Sequence, residues 1–268
     1  MTFFEAVFQL DFLLYAFVGA LLASVACGIV GSYVVVRRIG YMAGGIAHAV
    51  LGGMGLAYFL GQPPMSGALL SALAAALLIS WVNHCASQQE DTIISALWAV
   101  GMATGILFIA RTPGYNVDLM SYLFGNILMI APQDLLFIAL LDTAILALTL
   151  LLYRQLLLVC FDPEFAVIRG LRVSVLQTLL LCLIALTVVI LIQIVGLILV
   201  IALLTLPAAT ARLFVTSLSG MMILATLIGS IATVAGLALS FHFDLPAGAL
   251  TALLCGSLYL LSMLIRRP

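Results

Sequence analysis

Residues 173–192 read VSVLQTLLLCLIALTVVILI, twenty positions without a charged side chain. A helix of roughly 20 residues crosses the hydrocarbon core of a bilayer, which is about 30 Å thick. The rest of the 268-residue chain has the same character, because 66% of its residues are hydrophobic and 7% are charged, whereas an ordinary globular protein is roughly 25% charged. We therefore predict an all-α, polytopic integral membrane protein with a single transmembrane domain over residues 1–268.

The arginines predict how the chain is oriented. All nine basic residues are arginine, and basic residues favour the cytoplasmic side of a membrane. Eight of them fall at ends of apolar stretches that can share that side: Arg37, Arg38, Arg154, Arg169, Arg172, Arg212, Arg266 and Arg267. We expect an outside N-terminus, a cytoplasmic C-terminus and crossings at 11–36, 41–60, 65–82, 92–110, 133–153, 173–192, 195–212, 221–241 and 247–265.

One mid-chain segment is too short to cross. Residues 118–130 are apolar but hold Gly125 and Asn126, and a crossing needs about 20 residues. We predict a short re-entrant or interfacial helix there. The expected total is eight to nine transmembrane helices.

Two ionisable side chains are predicted near the middle of the bilayer, where such groups are costly and are functional candidates. Each lies about ten residues, or roughly 15 Å, from the end of its span: His48 and Asp142. A neutral imidazole at this depth can bind a transition metal, pass a proton or hydrogen-bond a neighbouring helix. The small residues of 43–49 leave the His48 ring accessible. The simpler interpretation of Asp142 is a buried carboxyl group that is protonated or hydrogen-bonded to a helix.

A second candidate is the segment 161–172, expected on the cytoplasmic side. Asp162 is a good helix N-cap, Pro163 fits the first helical position, and Glu164 suits the positive end of the helix. Gly170 can end the helix, and the apolar Phe165 can lie on the membrane or insert into a cleft of a partner protein. This pattern predicts a short, capped amphipathic helix.

Small residues and one proline mark places where helices pack or bend. The runs Gly52-Gly53-x-Gly55 and Gly101-x-x-x-Gly105 are typical of close helix packing. Pro207 lies inside a predicted span and releases a backbone group. A packing kink is the simpler interpretation, and a hinge beside a transport pathway is the functional one.

Several classes of function are excluded or poorly supported. The chain has a net charge of −1 and lacks the basic stripe that nucleic acid binding needs. No G-x-x-x-x-G-K-[ST] motif is present, so energy from ATP would have to come from another subunit. The five cysteines are scattered singly, without a zinc or disulfide pattern. No hydrolase motif is found, and we expect neither an enzyme nor a permanently bound cofactor.

Taken together, five segments resemble the permease subunit of the manganese/zinc/iron family of ABC importers. They are 37–49 (RRIGYMAGGIAHA), 123–128 (LFGNIL), 162–165 with 170–171, 195–212 (VGLILVIALLTLPAATAR) and 243–248 (FDLPAG). They occur in order along nearly the whole chain, which makes the resemblance specific.

The resemblance implies a function and a set of partners. It implies import of a divalent transition-metal ion across the inner (plasma) membrane by a homodimer, or by two related permeases. Two cytoplasmic ATP-binding subunits would dock on Asp162–Phe165 and Gly170, and an extracytoplasmic metal-binding protein would deliver the ion. Many members carry an aspartate four residues before the histidine, on the same helix face. Here that position is Gly44, so Gly44 and Gly45 would offer only backbone to the pathway.

Two other functions stay open at this point. One is a secondary transporter or channel that uses His48 and Asp142 as a proton or cation relay without an ATPase. The other is an ABC permease for a metal chelate, which stays possible because position 44 is glycine and not aspartate. Under the leading interpretation, Asp142 is a candidate for the missing negative charge.

Overall fold

A computed structural model describes residues 3–85, 90–112, 125, 127, 130–197 and 199–266, and the regular structure in these ranges is helical. The described helices are α1 (Phe3–Gln9), α2 (Asp11–Arg37), α3 (Gly40–Phe59), α4 (Pro64–Cys85), α5 (Glu90–Arg111), α6 (Pro132–Leu151), α7 (Tyr153–Phe161), α8 (Pro163–Ile168), α9 (Val173–Val195), α10 (Val200–Phe214), α11 (Leu218–Phe243) and α12 (Ala247–Ile265).

The described helices confirm an all-α, multi-pass membrane protein. Eight of them are long and apolar enough to cross a membrane, namely α2 to α6, α9, α11 and α12. Helix α10 is apolar but has 15 residues, about 22 Å, which is shorter than the hydrocarbon core. This agrees with the predicted eight to nine transmembrane helices. The predicted re-entrant segment 118–130 lies outside the described residues, except for 125, 127 and 130.

The ends of several helices differ from the sequence-based prediction. The crossing expected to begin at residue 195 begins at Val200, because α9 runs through Val195 and Gly196 then adopts a φ of +80°. Left-handed backbone of this kind ends a helix and favours glycine. The short helices α1 and α7 were not predicted, since neither is long enough to show a clear helical periodicity of its apolar residues.

Helix α11 shows how local chemistry sets helix ends. The Ser217 hydroxyl accepts a hydrogen bond from the Gly220 N–H at 3.3 Å, which caps the start of the helix. At the other end Asp244 takes a left-handed φ of 55°, two residues before Pro246. The helix therefore ends where the next residues can no longer continue it.

The chain forms two compact units, and the first comprises Met1–Val36, Leu119–Leu148 and Ile190–Pro268. Within it, α2 packs on α11 through a 3.1 Å hydrogen bond between the hydroxyls of Ser24 and Thr233. A methyl group at Gly28 would lie 2.5 Å from the Thr226 nitrogen. The α2 and α11 backbones are therefore close together in this unit, as small residues allow in membranes.

The second unit comprises Arg37–Asp118 and Thr149–Val189. Its central helix is α3, the most buried of the candidate spans. Near the start of α3, a methyl group at Gly45 would lie 2.5 Å from Cγ2 of Ile94; near its end, one at Gly55 would lie 2.5 Å from the Gly105 carbonyl oxygen. Helices α3 and α5 therefore run in the same direction, as the predicted order of crossings requires.

Candidate functional site

His48 lies in the middle of α3 and is 9% exposed. Its Nδ1 lies 2.8 Å from the Gly44 carbonyl oxygen one turn earlier. Because a carbonyl oxygen only accepts hydrogen bonds, Nδ1 carries the proton in this bond and Nε2 holds the lone pair of the neutral ring. The hydrogen bond leaves Nε2 as the nitrogen that can bind a metal ion.

The sequence analysis missed the aromatic partner of His48. The Trp98 ring on α5 stacks on the imidazole, with ring centroids 3.8 Å apart and an angle of 26° between the ring planes. Next to this pair, the Tyr41 hydroxyl bonds the Ser95 hydroxyl, and the Tyr41 and Trp98 centroids are 6.3 Å apart. The nearby glycine pattern indicated that a helix packs closely, but nothing in the sequence indicated which side chain would meet His48.

The contact between α3 and α5, which we call the α3–α5 seam, places Trp98 at the level of His48. Its α3 side is formed by Tyr41, Gly45, His48, Gly52 and Gly55, and its α5 side by Ile94, Ser95, Trp98, Gly101 and Gly105. Apart from the adjacent Ile94 and Ser95, successive residues on each side are three or four positions apart and so share one face of each helix. The predicted role of both glycine runs in helix packing is confirmed.

One glycine of the seam lies next to His48 itself. A methyl group at Gly101 would lie 2.6 Å from the Ala49 Cα and 3.1 Å from the His48 carbonyl oxygen. Gly44 and Gly45 are both buried in α3. The described α5 neighbours of this turn of α3 include the backbone at Gly101 and the indole of Trp98.

Asp142 lies in α6 and is 6% exposed. Its Oδ1 is buried and has no hydrogen-bond partner among the described residues. Asp142 belongs to the first compact unit and His48 to the second. The suggestion that Asp142 supplies the charge missing at Gly44 therefore stays a prediction.

Among the described residues, no group of three or more His, Cys, Asp and Glu side chains lies close enough to hold a metal ion. His84 and His242 lie in the last turns of α4 and α11 and are exposed. Within the described part of the chain, His48 is the histidine that combines burial with a central place in a span.

The segment 161–172 contains the predicted capped helix. Asp162 Oδ1 accepts from the Phe165 N–H at 2.9 Å, and Pro163 is the first residue of α8. At the end of α8, Gly170 has a φ of +77° and its N–H donates to Val167, while the Leu171 N–H donates to the Ala166 carbonyl oxygen. This pair of bonds is the Schellman arrangement that ends many helices.

The outer face of α8 is apolar. Phe165, Val167 and Ile168 are 38%, 61% and 80% exposed. Glu164 lies in the first turn, and the Arg169 guanidinium carbon is 5.1 Å from the Phe165 ring centroid. A short helix that is capped at both ends and carries three exposed apolar side chains suits a surface that another protein or a membrane covers.

Pro207 is buried within α10, which continues through it to Phe214. A methyl group at Gly229 on α11 would lie 3.9 Å from the Pro207 Cβ. This contact supports the interpretation of Pro207 as a residue that packs against α11. Its role as a hinge stays a prediction.

Residues 9–266 match the family described as "ABC 3 transport family". The chain is 44% identical over 259 residues to an uncharacterised membrane protein of Synechocystis (97% of this chain and 92% of that protein). It is 35% identical to the manganese transport system membrane protein MntC of Halalkalibacterium halodurans (97% and 89%). Among solved structures, PsaBC from Streptococcus pneumoniae in complex with Fab matches with a TM-score of 0.90 at 33% identity (99% and 95%).

These matches confirm the permease predicted from the sequence. They also place ATP hydrolysis outside this chain, because the matched proteins are membrane components of transport systems. The chain belongs to the ABC 3 transport family and is a multi-pass membrane subunit of an ABC transporter.

Proposed function

We propose that this permease imports a divalent transition-metal ion and that His48 is its ligand within the membrane. As an ABC permease the chain works with an ATP-binding subunit and a substrate-binding protein. The name of the Halalkalibacterium relative, a manganese transport system protein, supports a metal ion as the cargo.

The observation that carries the proposal is the state of the His48 ring. The imidazole is 9% exposed and its Nδ1–H is held by the Gly44 carbonyl oxygen. Imidazoles that bind metals usually donate their second N–H to such an acceptor, which fixes the tautomer and the ring orientation. The exposed His84 makes the same bond to the Ser80 carbonyl oxygen at the end of α4, so burial in the middle of a span is what distinguishes His48.

A single imidazole is too few ligands for a transition-metal ion, which takes four or more. The described residues of one chain supply no cluster that completes the set. We propose that a second copy contributes its own His48, so that the ion crosses near the axis of a homodimer. Water would complete the coordination, since the Gly44 carbonyl oxygen already accepts the hydrogen bond from Nδ1 of His48.

The ligand chemistry also bears on which ion is carried. Imidazole suits zinc and iron, while manganese prefers carboxylate, carbonyl and water oxygen. With glycine at position 44, α3 offers no carboxylate beside His48. We propose that zinc or ferrous iron is carried in preference to manganese.

The coupling segment is proposed to be residues 161–172 on the cytoplasmic side, with the C-terminus on that side of the plasma membrane. The exposed Phe165, Val167 and Ile168 would enter a cleft of the ATP-binding subunit. The caps formed by Asp162 and Gly170 would hold α8 rigid so that movement of the ATPase is transmitted. Pro207 is proposed as the point in α10 where the helix bends during transport.

The experiment is uptake of zinc, iron and manganese by proteoliposomes that contain the permease, its ATP-binding subunit and its binding protein. We expect His48→Ala to lower ATP-driven uptake at least tenfold, and Asp142→Asn to weaken the apparent affinity for the ion. Wild-type uptake without the ATP-binding subunit would contradict the ABC mechanism and favour a secondary transporter. Undiminished uptake by His48→Ala would contradict a metal-ion site at His48 and favour a chelate as cargo.

A further inference from the structure

The indole of Trp98 covers one face of the His48 ring. The two rings are 3.8 Å apart and within 26° of parallel, which is direct stacking. Metal ions bind a ring nitrogen in the plane of the ring, so the indole, which lies over the ring face, does not block the direction of the Nε2 lone pair. Stacking does oppose rotation of the imidazole about its Cβ–Cγ bond.

Further contacts between α3 and α5 lie on either side of Trp98 along the helix. Tyr41 lies seven residues before His48 on the same face of α3, and its ring is 6.3 Å from Trp98. The Tyr41 hydroxyl also bonds Ser95, one turn before Trp98 on α5. On the other side, Gly101 lets α5 approach the α3 backbone at Ala49. The turn of α5 that carries Trp98 is therefore held against α3 beside His48.

We propose that Trp98 is a positioning residue that orients the His48 imidazole for metal binding, an inference that rests on the proposed role of His48. Many metal-binding histidines are oriented by a carboxylate. Here Gly44 provides only a carbonyl oxygen, which fixes one edge of the ring. Stacking on Trp98 fixes the plane of the ring, so the two contacts together set the direction of the Nε2 lone pair.

Uptake kinetics test this role. In Trp98→Ala the imidazole can rotate, and we expect the metal concentration for half-maximal uptake to rise about tenfold, as for other partners of metal-binding histidines. The maximal rate should change less than the half-saturating concentration. Trp98→Phe keeps an aromatic face and should restore most of the apparent affinity. An equal loss in both variants, or no change in Trp98→Ala, would overturn the proposal.

Fluorescence gives a readout that leaves Trp98 unchanged. The chain has two tryptophans, and Trp81 on α4 is 64% exposed, so Trp81→Phe isolates the Trp98 emission. Zinc has a filled d shell and does not quench by energy transfer, so a change in emission reports the stacked imidazole. We expect a saturable change whose midpoint matches that of uptake and which His48→Ala abolishes.

The two proposals fail differently. If His48→Ala abolishes zinc uptake while Trp98 emission stays constant in the Trp81→Phe protein, His48 is a ligand and Trp98 has no positioning role. If His48→Ala transports zinc normally, the proposed metal site itself is wrong. Thermal melting of each variant in detergent shows that uptake is compared between folded proteins.

Discussion

A methyl group at Gly55 would lie 2.5 Å from the carbonyl oxygen of Gly105, so α3 and α5 are in backbone contact at this point. Real Cβ atoms do not approach an oxygen so closely, and one helix would have to shift. Both residues belong to the α3–α5 seam that also pairs His48 with Trp98. The glycines therefore set the distance on which the candidate site depends.

Gly55→Ala is expected to destabilise the protein, because overpacking of a close contact costs roughly 1–3 kcal/mol. A lower melting temperature of the purified permease in detergent would show it. Gly256→Ala on α12 is the matched control, since a methyl group there would have its nearest neighbour, the Leu206 Cδ1, at 4.0 Å. Equal melting temperatures for both variants would contradict the close packing of the seam.

Gly44→Asp is expected to change ion preference. It places a carboxylate one turn before His48 on the same face of α3, and a hard oxygen ligand favours manganese. We expect the ratio of manganese to zinc uptake to rise about tenfold in competition assays. Gly44→Asn has the same shape without the charge and should leave the ratio near that of the wild type. If Gly44→Asn raised the ratio of manganese to zinc uptake as much as Gly44→Asp, the size of the side chain, and not its charge, would set the preference.

Asp162→Ala should weaken coupling. The variant removes the acceptor that caps α8 at the Phe165 N–H, a loss of about 1 kcal/mol for a helix of only six residues. Frayed α8 would transmit less movement, so metal-stimulated ATP hydrolysis should fall while the permease still inserts into the membrane. Asp162→Asn keeps a capping oxygen and should retain most of the activity; a comparable loss there would point to the charge of Asp162 instead.

The native cysteines can report orientation. Cys85 at the end of α4 is exposed, whereas burial raises the pKa of Cys160 to about 11. At pH 7 about one in ten thousand such thiols is ionised, and the thiolate is the reactive form. A membrane-impermeant maleimide should therefore label Cys85 in inside-out vesicles at pH 7, whereas Cys160 should react much more slowly, at a rate that rises about tenfold for each unit of pH.

The matched control is Cys85→Ser, which should abolish labelling at pH 7. Labelling of Cys85 in right-side-out vesicles would place the end of α4 outside the cell. That result would reverse the proposed orientation and, with it, the cytoplasmic position expected for α8.

The amino-acid sequence alone predicted the features that depend on neighbours along the chain. The spans follow from uncharged stretches of about 20 residues, since these must be in lipid. The helix α8 follows from Asp162, Pro163 and Gly170, because caps act within one turn. By contrast, the start of α10 at Val200 depends on the turn at Gly196, which the continuous apolar run concealed.

Only the tertiary structure decided what surrounds His48. Trp98 is fifty residues away in the sequence, and the two rings meet because Gly52, Gly55, Gly101 and Gly105 bring α3 and α5 into backbone contact. A glycine run shows that some helix can pack closely, but not which helix or in what register. That choice depends on how the side chains of both helices fit together, which no local pattern records.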